Sequence, residues 1–236
     1  MELAVRLAIM QPYFVPYIGY LQLMAAVDRF VLFDDVGFIK RGWINRNRIM
    51  VGGREHWMTI PLRAASQNLL INQIAVSEDS AWRSKLLKTV EQSYRKAPFY
   101  AETMPLAQDI LGCPETMLAP YLRCSLIALH AWLELPCQII ATSSHYENQH
   151  YKGAQRILDI CRQEHASVYV NAPGGKHLYA AADFAALGMQ LRFLKPRLDA
   201  YAQDGATFTP GLSIIDVLMH QGRAATRQAL FSAALE

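Results

Sequence analysis

Residues 3–35 read LAVRLAIMQPYFVPYIGYLQLMAAVDRFVLFDD, and this stretch decides the fold. Leu3 to Met10 is apolar and β-prone, with one interruption at Arg6, which predicts a buried strand. The QPYFVP loop that follows has two prolines, which suit neither a central strand nor a helix interior. Tyr17 to Val27 then predicts a helix and Arg29 to Phe33 a second strand. Strand, loop, helix and strand in this order are typical of a parallel βαβ unit.

The rest of the chain repeats this alternation on either side of a helical stretch. Short strands are predicted at Trp57–Pro61 and Ile71–Val76, and three helices follow between Ser80, the expected N-cap of the first helix, and Leu135. Further strands are predicted at 137–142, 167–171 and 189–194, with helices at 153–164, 179–187 (ended by Gly188) and 212–220 (capped by Ser213). We therefore expect one α/β domain over residues 1–236, with a Rossmann-like parallel sheet core flanked by helices and a mainly helical insertion at about 80–135.

Composition limits the functional classes. With 236 residues, 52% hydrophobic and 18% charged, the chain can bury a large core, which excludes global disorder. A net charge of +3 is too small to indicate nucleic-acid binding by itself. No CxxC pair occurs, so we expect reduced, buried thiols. The sequence has neither a signal peptide nor the ~20 consecutive apolar residues of a membrane span, which predicts a cytoplasmic protein.

The loop after the first strand is a candidate nucleotide site. A helix N-terminus at that position directs backbone N–H groups and a positive dipole outward, and Gly19 would permit close approach of a phosphate or an adenine ring. The YIGY turn at residues 17–20 loosely resembles the HxGH motif of nucleotidyltransferases, with tyrosine in place of both histidines. Gln11, a polar amide at a strand end, needs a partner. The alternative is that Tyr17 and Tyr20 are core residues.

Asp34 and Asp35 end the second predicted strand, at the carboxyl edge where α/β proteins bind ligands. One carboxylate is a candidate general base or Mg²⁺ ligand, and the other could cap the next turn. The segment KRGWINRNR at 40–48 then combines four cations with a tryptophan and two asparagines. Such residues suit a phosphate-bearing ligand, whereas RNA contact and a solvated hairpin remain alternatives. The residues concerned are Lys40, Arg41, Trp43, Asn45, Arg46, Asn47 and Arg48.

Two later loops carry further candidates. Ser144 and His145 follow a predicted strand, and Lys152 and Arg156 share a helix face because they are four residues apart; surface solvation is the alternative. In the second loop, NAPGGK at 171–176 predicts a backbone anion nest without Walker spacing, or simply a permissive turn. Its candidates are Asn171, Gly174, Gly175 and Lys176.

The segment LSIIDVLMHQG at 212–222 predicts a core helix. Asp216 lies among apolar residues, so it must be paired or next to a cavity, because a lone buried carboxylate is costly. We interpret His220 as structural.

Three of these segments carry a family resemblance. Residues 8–49, AIMQPYFVPYIGYLQLMAAVDRFVLFDDVGFIKRGWINRNRI, together with NAPGGKHLY at 171–179 and LSIIDVLMHQG, resemble the WbqC-like family over essentially the whole chain. The resemblance implies a place among the enzymes of O-antigen and related glycans, and glycyl or aminoacyl transfer to an amino sugar. Gln155 stands where the family pattern has an acidic residue before the arginine, which puts a catalytic role for that carboxylate in doubt here.

The leading hypothesis is therefore a transferase that moves a glycyl, aminoacyl or acyl group onto a nucleotide-linked amino sugar, with ATP and Mg²⁺ as candidate cofactors. Asp35, His145 and Arg46 are the predicted catalytic residues, and no metal ligand is assigned. The alternatives are a non-catalytic nucleotide-sugar-binding or assembly protein, and a transferase that uses aminoacyl-tRNA. The mechanism requires Asp35, Arg46, His145 and Asn171 to share one cleft. Cofactor contacts are predicted for Gln11, Tyr17, Gly19, Tyr20, Asn171, Gly174, Gly175 and Lys176, and substrate contacts for Asp34, Lys40, Arg41, Trp43, Asn45, Asn47, Arg48, Ser144, Lys152 and Arg156.

Overall fold

The computed structural model describes residues 4–205 and 207–236, which form an α/β structure. Its strands are β1 (Arg6–Met10), β2 (Arg29–Leu32), β3 (Arg46–Val51), β4 (Arg54–Thr59), β5 (Leu62–Arg63), β6 (Ala75–Val76), β7 (Gln138–Ile140), β8 (Val168–Asn171), β9 (Gln190–Lys195) and β10 (Ala234–Leu235). Its α-helices are α1 (Ile18–Ala25), α2 (Ala81–Tyr94), α3 (Tyr100–Gly112), α4 (Leu118–Leu133), α5 (Ala154–Gln163), α6 (Ala181–Ala185) and α7 (Ile214–Leu230).

The main sheet has the strand order β10-β9-β8-β1-β2-β7. All neighbours are parallel except β10, which runs antiparallel to β9. Along the chain the five parallel strands therefore follow the order 5-4-1-2-3, which is the doubly wound order of nucleotide-binding folds. The predicted Rossmann-like parallel core flanked by helices is confirmed. The strand order reverses between β1 and β8, and a ligand crevice is expected at that point.

The two faces of the sheet belong to different apolar clusters, because side chains alternate along a strand. Leu7 and Ile9 of β1 pack with Ile157 of α5 and Phe184 of α6. Ala8 between them faces the larger cluster, which includes residues of α1, α4 and α7. The opening strand is thus buried on both sides, as its nearly continuous apolar run predicts.

A basic hairpin follows β2. Strands β3 and β4 pair antiparallel with Arg48 opposite Trp57, and Gly52 and Gly53 form the turn with φ of +57° and +75°. Two residues in the left-handed region are what a tight hairpin turn of this kind requires, and glycine supplies them without strain. Helices α2, α3 and α4 follow within residues 81–133. No helix in the described residues has both the length and the apolar character needed to cross a bilayer.

Several local predictions need correction. The strand expected at Ile71–Val76 is a 3₁₀ turn at Ile71–Gln73 followed by the short β6, because the Gln73 side chain accepts the Leu70 N–H at 3.0 Å and closes the turn. Ser80 precedes α2 but makes no capping bond; the Asp79 carboxylate accepts the Ala81 N–H instead. Leu3, the expected start of the first strand, lies outside the described residues.

The C-terminal predictions differ mainly in length. Gly188, with φ +71°, ends α6 as predicted, since Gly188 N donates to Ala185 O and Met189 N to Phe184 O, both at 3.0 Å. The cap by Ser213 is confirmed by its side chain, which accepts Ile215 N–H. The helical backbone of α7 breaks at Gly222 (φ +72°, ψ 176°), two residues after the predicted end at His220, and a second helical segment continues to Leu230.

Candidate functional site

A cleft of about 680 Å³ opens at the carboxyl edge of the sheet between β1 and β8, where the strand order reverses. Gln11, which follows β1, and Asn171, the last residue of β8, line it together. This volume falls within the range of roughly 300–1,000 Å³ that is usual for small-molecule sites. Seven of the eight residues predicted to bind a cofactor line this switch-point cleft: Gln11, Tyr17, Gly19, Tyr20, Asn171, Gly174 and Gly175.

Lys176 is the exception. Its ammonium group forms an ion pair with Glu236, the last residue of the chain, and the two side chains are about half exposed. The 3₁₀ turn at Pro173–Leu178 directs Lys176 away from the cleft that Gly174 and Gly175 line. The anion contact predicted for Lys176 is thus separated from the rest of the predicted cofactor residues.

The loop from Gln11 to Pro16 is held by two distant parts of the chain. The buried amide of Asn47 on β3 donates to Phe14 O at 3.2 Å and to Val15 O at 2.9 Å. The hydroxyl of Ser213, which caps α7, donates to Val15 O at 2.8 Å. These bonds stabilise Val15 at φ +35°, which a β-branched residue rarely adopts. Asn47, predicted as a substrate contact, instead supports the wall of the cleft.

Tyrosines form the α1 side of the cleft. Tyr20 is buried and donates to Gln11 O at 3.0 Å, and the rings of Tyr13 and Tyr20 lie 5.3 Å apart. Burial raises the pKa of Tyr13, Tyr17 and Tyr20 above the usual value, with smaller contributions from neighbouring groups for Tyr13 and Tyr20. Neutral phenols are hydrogen-bonding groups without charge, so this wall suits uncharged parts of a ligand.

The two cleft glycines leave room for neighbouring side chains. A Cβ atom on Gly19 would lie 2.4 Å from the Tyr17 ring, and one on Gly175 would lie 2.5 Å from Asn171 Nδ2. Asn171 Oδ1 in turn accepts the Ala172 N–H at 2.7 Å. Glycine at these two positions lets Tyr17 and Asn171 lie directly against the backbone of the cleft wall.

A second recess of about 450 Å³ adjoins the cleft and shares Phe33, Ile157, Leu178 and Tyr179 with it. We call it the Asp35 recess, because its charged lining residues are Asp35, Lys152 and Arg156. Lys152 is exposed and precedes Gly153 and Ala154 at the start of α5, whose first N–H groups have no side-chain cap. Lys152 thus lies next to a helix N-terminus, and its ammonium group forms no ion pair with the residues that the structure describes.

Both oxygens of the Asp35 carboxylate are already bonded. Arg156 Nη2 lies 2.5 Å from Oδ2, Gln149 Nε2 donates to the same oxygen at 2.9 Å, and the Ser143 hydroxyl donates to Oδ1. Arg156 also donates to Asn148 Oδ1 at 2.9 Å, and Asn148 donates to the Asp159 carboxylate at 2.9 Å. Arg156 and Asp35 form a buried, hydrogen-bonded ion pair whose immediate effect is to shape the recess.

Asp34 has its own set of partners. Its Oδ1 accepts from Thr142 Oγ1 at 2.8 Å and from Ser143 N at 3.1 Å, which connects the ends of β2 and β7. Asp34 lines neither the cleft nor the recess. Within the described residues, no three His, Cys, Asp or Glu side chains are grouped as metal ligands would be.

Two of the four cations at residues 40–48, Arg46 and Arg48, have partners within the basic hairpin or the turn before it. Arg46 donates to the carbonyl oxygens of Gly42 and Arg41, and its guanidinium lies 4.1 Å from the centre of the Trp57 ring. Arg48 forms an ion pair with Glu55 at 2.6 Å.

The remaining hairpin candidates differ in exposure. The Asn45 amide donates to Ile60 O at 2.9 Å, whereas Lys40 and Arg41 are exposed. Of the hairpin candidates, Trp43 alone lines the switch-point cleft.

His145 lies on the 3₁₀ turn Ser143–Tyr146, where it is exposed, and its Nδ1 is 2.9 Å from Thr142 O. Ser144 accepts a bond from Asn72 at 3.2 Å. Neither residue lines the cleft or the recess, and Gln155 is exposed outside both. Asp35 and Asn171 thus lie in adjoining parts of one site, whereas Arg46 and His145 do not join them there.

Sequence reasoning overlooked several residues that build the site. Tyr13 lines the cleft, and Asn148 and Gln149 complete the surroundings of the Arg156–Asp35 pair. Tyr13 belongs to the QPYFVP loop, two residues after Gln11, and this position was the available signal. Asn148 and Gln149 lie three and four residues after His145, but nothing in their spacing pointed to Arg156.

Comparison with known proteins identifies a family over most of the chain. The profile of the WbqC-like protein family matches residues 11–228. A protein of Mycobacterium tuberculosis, named uncharacterized protein Rv1507c, is 28% identical over 222 residues, covering 93% of this chain and 95% of that protein. No solved structure matches the chain.

Proposed function

Because the chain belongs to the WbqC-like protein family, we propose that it is a transferase of bacterial surface-polysaccharide (O-antigen) biosynthesis. The substrate is a nucleotide-linked amino sugar, and the group transferred is glycyl, another aminoacyl group or an acyl group, activated as an adenylate. The observation that carries this proposal is the switch-point cleft, which combines the usual ligand position of a doubly wound sheet with the volume of a small-molecule site.

The lining supports a ligand with both neutral and anionic parts. The cleft itself presents phenols, the Asn171 amide and the backbone of a glycine-containing turn. The adjoining recess adds Lys152 and the uncapped start of α5, which favour a phosphate or carboxylate. In this proposal Arg156 and Asp35 maintain the shape of the anion-binding recess, because the hydrogen bond between them holds both side chains in place.

The transfer itself is an attack by the sugar amine on the activated carbonyl carbon. The C–N bond forms, the C–O bond to the adenylate phosphate breaks, AMP leaves and the amine loses a proton. Asp35 is the carboxylate that lines the site among the described residues, and it must exchange a present partner to accept that proton.

Turnover tests the proposal directly. Purified protein is incubated with ATP, glycine and UDP- or dTDP-linked sugars that carry a free amine, and AMP and the glycylated sugar are measured by mass spectrometry. We expect both products in equal amounts. Lys152→Ala should reduce the rate by about tenfold or more, the loss expected for a charge-assisted hydrogen bond, whereas Lys88→Ala on the exposed side of α2 should not. A panel of amino sugars and acyl donors that yields no product would contradict the transferase assignment.

One observation favours a second candidate, a non-catalytic nucleotide-sugar-binding protein. Both oxygens of Asp35 are engaged, and His145 lines neither part of the site, so neither predicted acid–base residue is available to a ligand in this arrangement. Saturable binding of nucleotide sugars without AMP release would favour this candidate over the transferase.

A further inference from the structure

A third cavity, of about 240 Å³, lies against the aromatic wall of the switch-point cleft. It is lined by Tyr13, Tyr17, Trp43, Asn47 and Gly211, and we call it the Trp43 pocket. Tyr13, Tyr17 and Trp43 also line the cleft, so the two cavities share one wall. The volume is below the range of drug-sized sites, which leaves room for one ring of a ligand.

The Trp43 indole packs against two side chains of the basic hairpin, Trp57 and Arg48. The Trp57 ring lies 5.5 Å from it at 35°, and the Arg48 guanidinium lies 5.3 Å from it. Neither Trp57 nor Arg48 lines the pocket. Trp43 is 39% exposed, so a large aromatic surface remains available beside the cleft while its orientation is held by the hairpin.

The polar groups of the pocket are uncharged. Asn47 is buried, and its amide donates to Phe14 O and Val15 O and accepts the Arg48 N–H. Few of its hydrogen-bonding positions therefore remain for a ligand. The hydroxyls of Tyr13 and Tyr17 make no hydrogen bond to described residues, and burial keeps both phenols neutral by raising their pKa. Each hydroxyl can donate and accept one bond, which suits the hydroxyls of a sugar.

We propose that the Trp43 pocket binds the sugar ring of a nucleotide-linked sugar, with the apolar face of the ring on Trp43 and its hydroxyls bonded to Tyr13 and Tyr17. This inference rests on the proposed function, in which the nucleotide part occupies the switch-point cleft. A nucleobase fits the pocket less well, because recognition of a base edge needs fixed donors and acceptors, and the Asn47 amide is already engaged.

Calorimetric titration of paired ligands tests the assignment. UDP, GDP and dTDP are each compared with a hexosamine linked to the same diphosphate. Wild-type protein should bind one sugar nucleotide about tenfold more tightly than the matching nucleoside diphosphate. Trp43→Ala should remove that difference, whereas its affinity for the diphosphate should stay within about twofold of the wild-type value. Trp43→Phe should restore part of the difference, since it keeps an aromatic face. Tyr17→Phe should reduce the difference by several-fold, because it removes one hydroxyl and retains the ring.

Trp132→Ala is the matched control. Trp132 is also a partly buried indole next to an arginine, Arg223, at 5.6 Å, but it lines neither the cleft nor the pocket. If the wild type binds each nucleoside diphosphate and its sugar conjugate with equal affinity, the assignment of the Trp43 pocket to the sugar is wrong, while the proposed function is unaffected. An equal loss for both ligands in Trp43→Ala would assign Trp43 to the nucleotide instead, which also overturns that assignment. Binding of none of these ligands would overturn the proposed function and the pocket with it.

Discussion

Arg156 and Asp35 form an ion pair whose side chains are only 7% and 3% exposed. Burial of two charges is costly, and the pair persists because Gln149, Ser143 and Asn148 supply additional hydrogen bonds. Removal of one partner leaves the other charge buried without compensation. The stability of the site therefore depends on these two residues together.

Substitution of Arg156 by Met should lower the free energy of unfolding by about 3–5 kcal/mol, because Asp35 loses its counter-charge inside the protein. Urea denaturation measures this loss. Arg162→Met on the same helix is the control, since its pair with Asp159 leaves Arg162 71% exposed and should cost at most about 1 kcal/mol. Similar losses in the two variants would argue against a dominant role for the buried pair.

Asp216 on α7 is a second buried carboxylate, and its partners come from distant segments. Tyr94 of α2 donates to Oδ2 at 2.6 Å, and Tyr201 donates to Oδ1 at 2.7 Å. His220, interpreted as structural from the sequence, has its Nδ1 2.9 Å from Asp216 O, and its buried Nε2 has no hydrogen-bond partner among the described residues. The network attaches α2 and the loop before α7 to the core.

Asp216→Asn should destabilise the fold by about 1–3 kcal/mol, because an amide presents an NH₂ group to one of the two tyrosine hydroxyls and leaves a buried donor unpaired. Asp199→Asn, at an exposed carboxylate, should change stability by less than about 0.5 kcal/mol. Thermal and urea melts of both variants provide the comparison, and an unaffected Asp216→Asn protein would mean that the buried network contributes little.

At the scale of elements, α7 shows how a helix is shaped by what packs against it. Gly222 interrupts its helical backbone with φ +72° and ψ 176°, and a Cβ atom there would lie 2.5 Å from the Phe99 ring. Phe99 directly precedes α3, and its N–H donates to Met219 O at 3.0 Å. The break in α7 therefore lies where Phe99, at the start of α3, packs directly against the helix backbone.

Gly222→Ala should cost more than about 1–3 kcal/mol, since the new methyl group meets the Phe99 ring and the left-handed backbone is unfavourable for alanine. Gly112→Ala is the matched control within α3, where a Cβ atom has nothing within 4 Å and the change should be neutral or stabilising by up to about 1 kcal/mol. If Gly222→Ala unfolded at the wild-type urea midpoint, the packing argument for the break would be wrong.

At the scale of the whole molecule, groups that must stay neutral are spread through the core. Burial raises the pKa of the Cys137 and Cys161 thiols to about 12. Burial is the main cause that raises the pKa of Tyr94 and Tyr201 far above the usual value, and the negative charge of the Asp216 carboxylate is the second. The folded state therefore retains protons that the unfolded chain releases at alkaline pH, and the stability linked to them disappears as pH rises.

The pH range of this effect follows from the raised pKa values of the thiols. Thiols in the unfolded chain lose their protons near pH 8.5, so their contribution is complete below that pH and declines towards pH 12. Urea unfolding at pH 9.5 should therefore give a stability about 1–3 kcal/mol lower than at pH 7.5. The double variant Cys137→Ala and Cys161→Ala should show a smaller decrease between the two pH values. An identical decrease would assign the alkaline effect to other groups.

Prediction from sequence worked best where the pattern was local. The apolar run of β1, the periodicity of α1 and the apolar β2 identified the opening βαβ unit, because burial on both faces leaves a continuous pattern along the chain. The strand at Ile71–Val76 was wrong for the opposite reason: a single side-chain bond from Gln73 decides the turn, and composition does not reveal it.

The candidate site was predicted in part. Gln11 and Asn171 meet because carboxyl ends of parallel strands share one edge, so their position follows from strand assignment alone. The orientations of the Arg46 and His145 side chains depend on hydrogen bonds within their own turns, and that of Lys176 on its ion pair with Glu236. The spacing of residues in the sequence does not predict such contacts.

The amino-acid sequence by itself determined the parallel α/β core and the loops that border its carboxyl edge, because hydrophobic periodicity acts over neighbouring residues. Tertiary structure alone decided which charges are free. Asp35 and Arg156 are 121 residues apart and Asn47 and Val15 are 32 apart, yet each pair is joined by hydrogen bonds inside the fold. Buried polar groups must find partners wherever packing brings them, so their pairing is a property of the folded molecule.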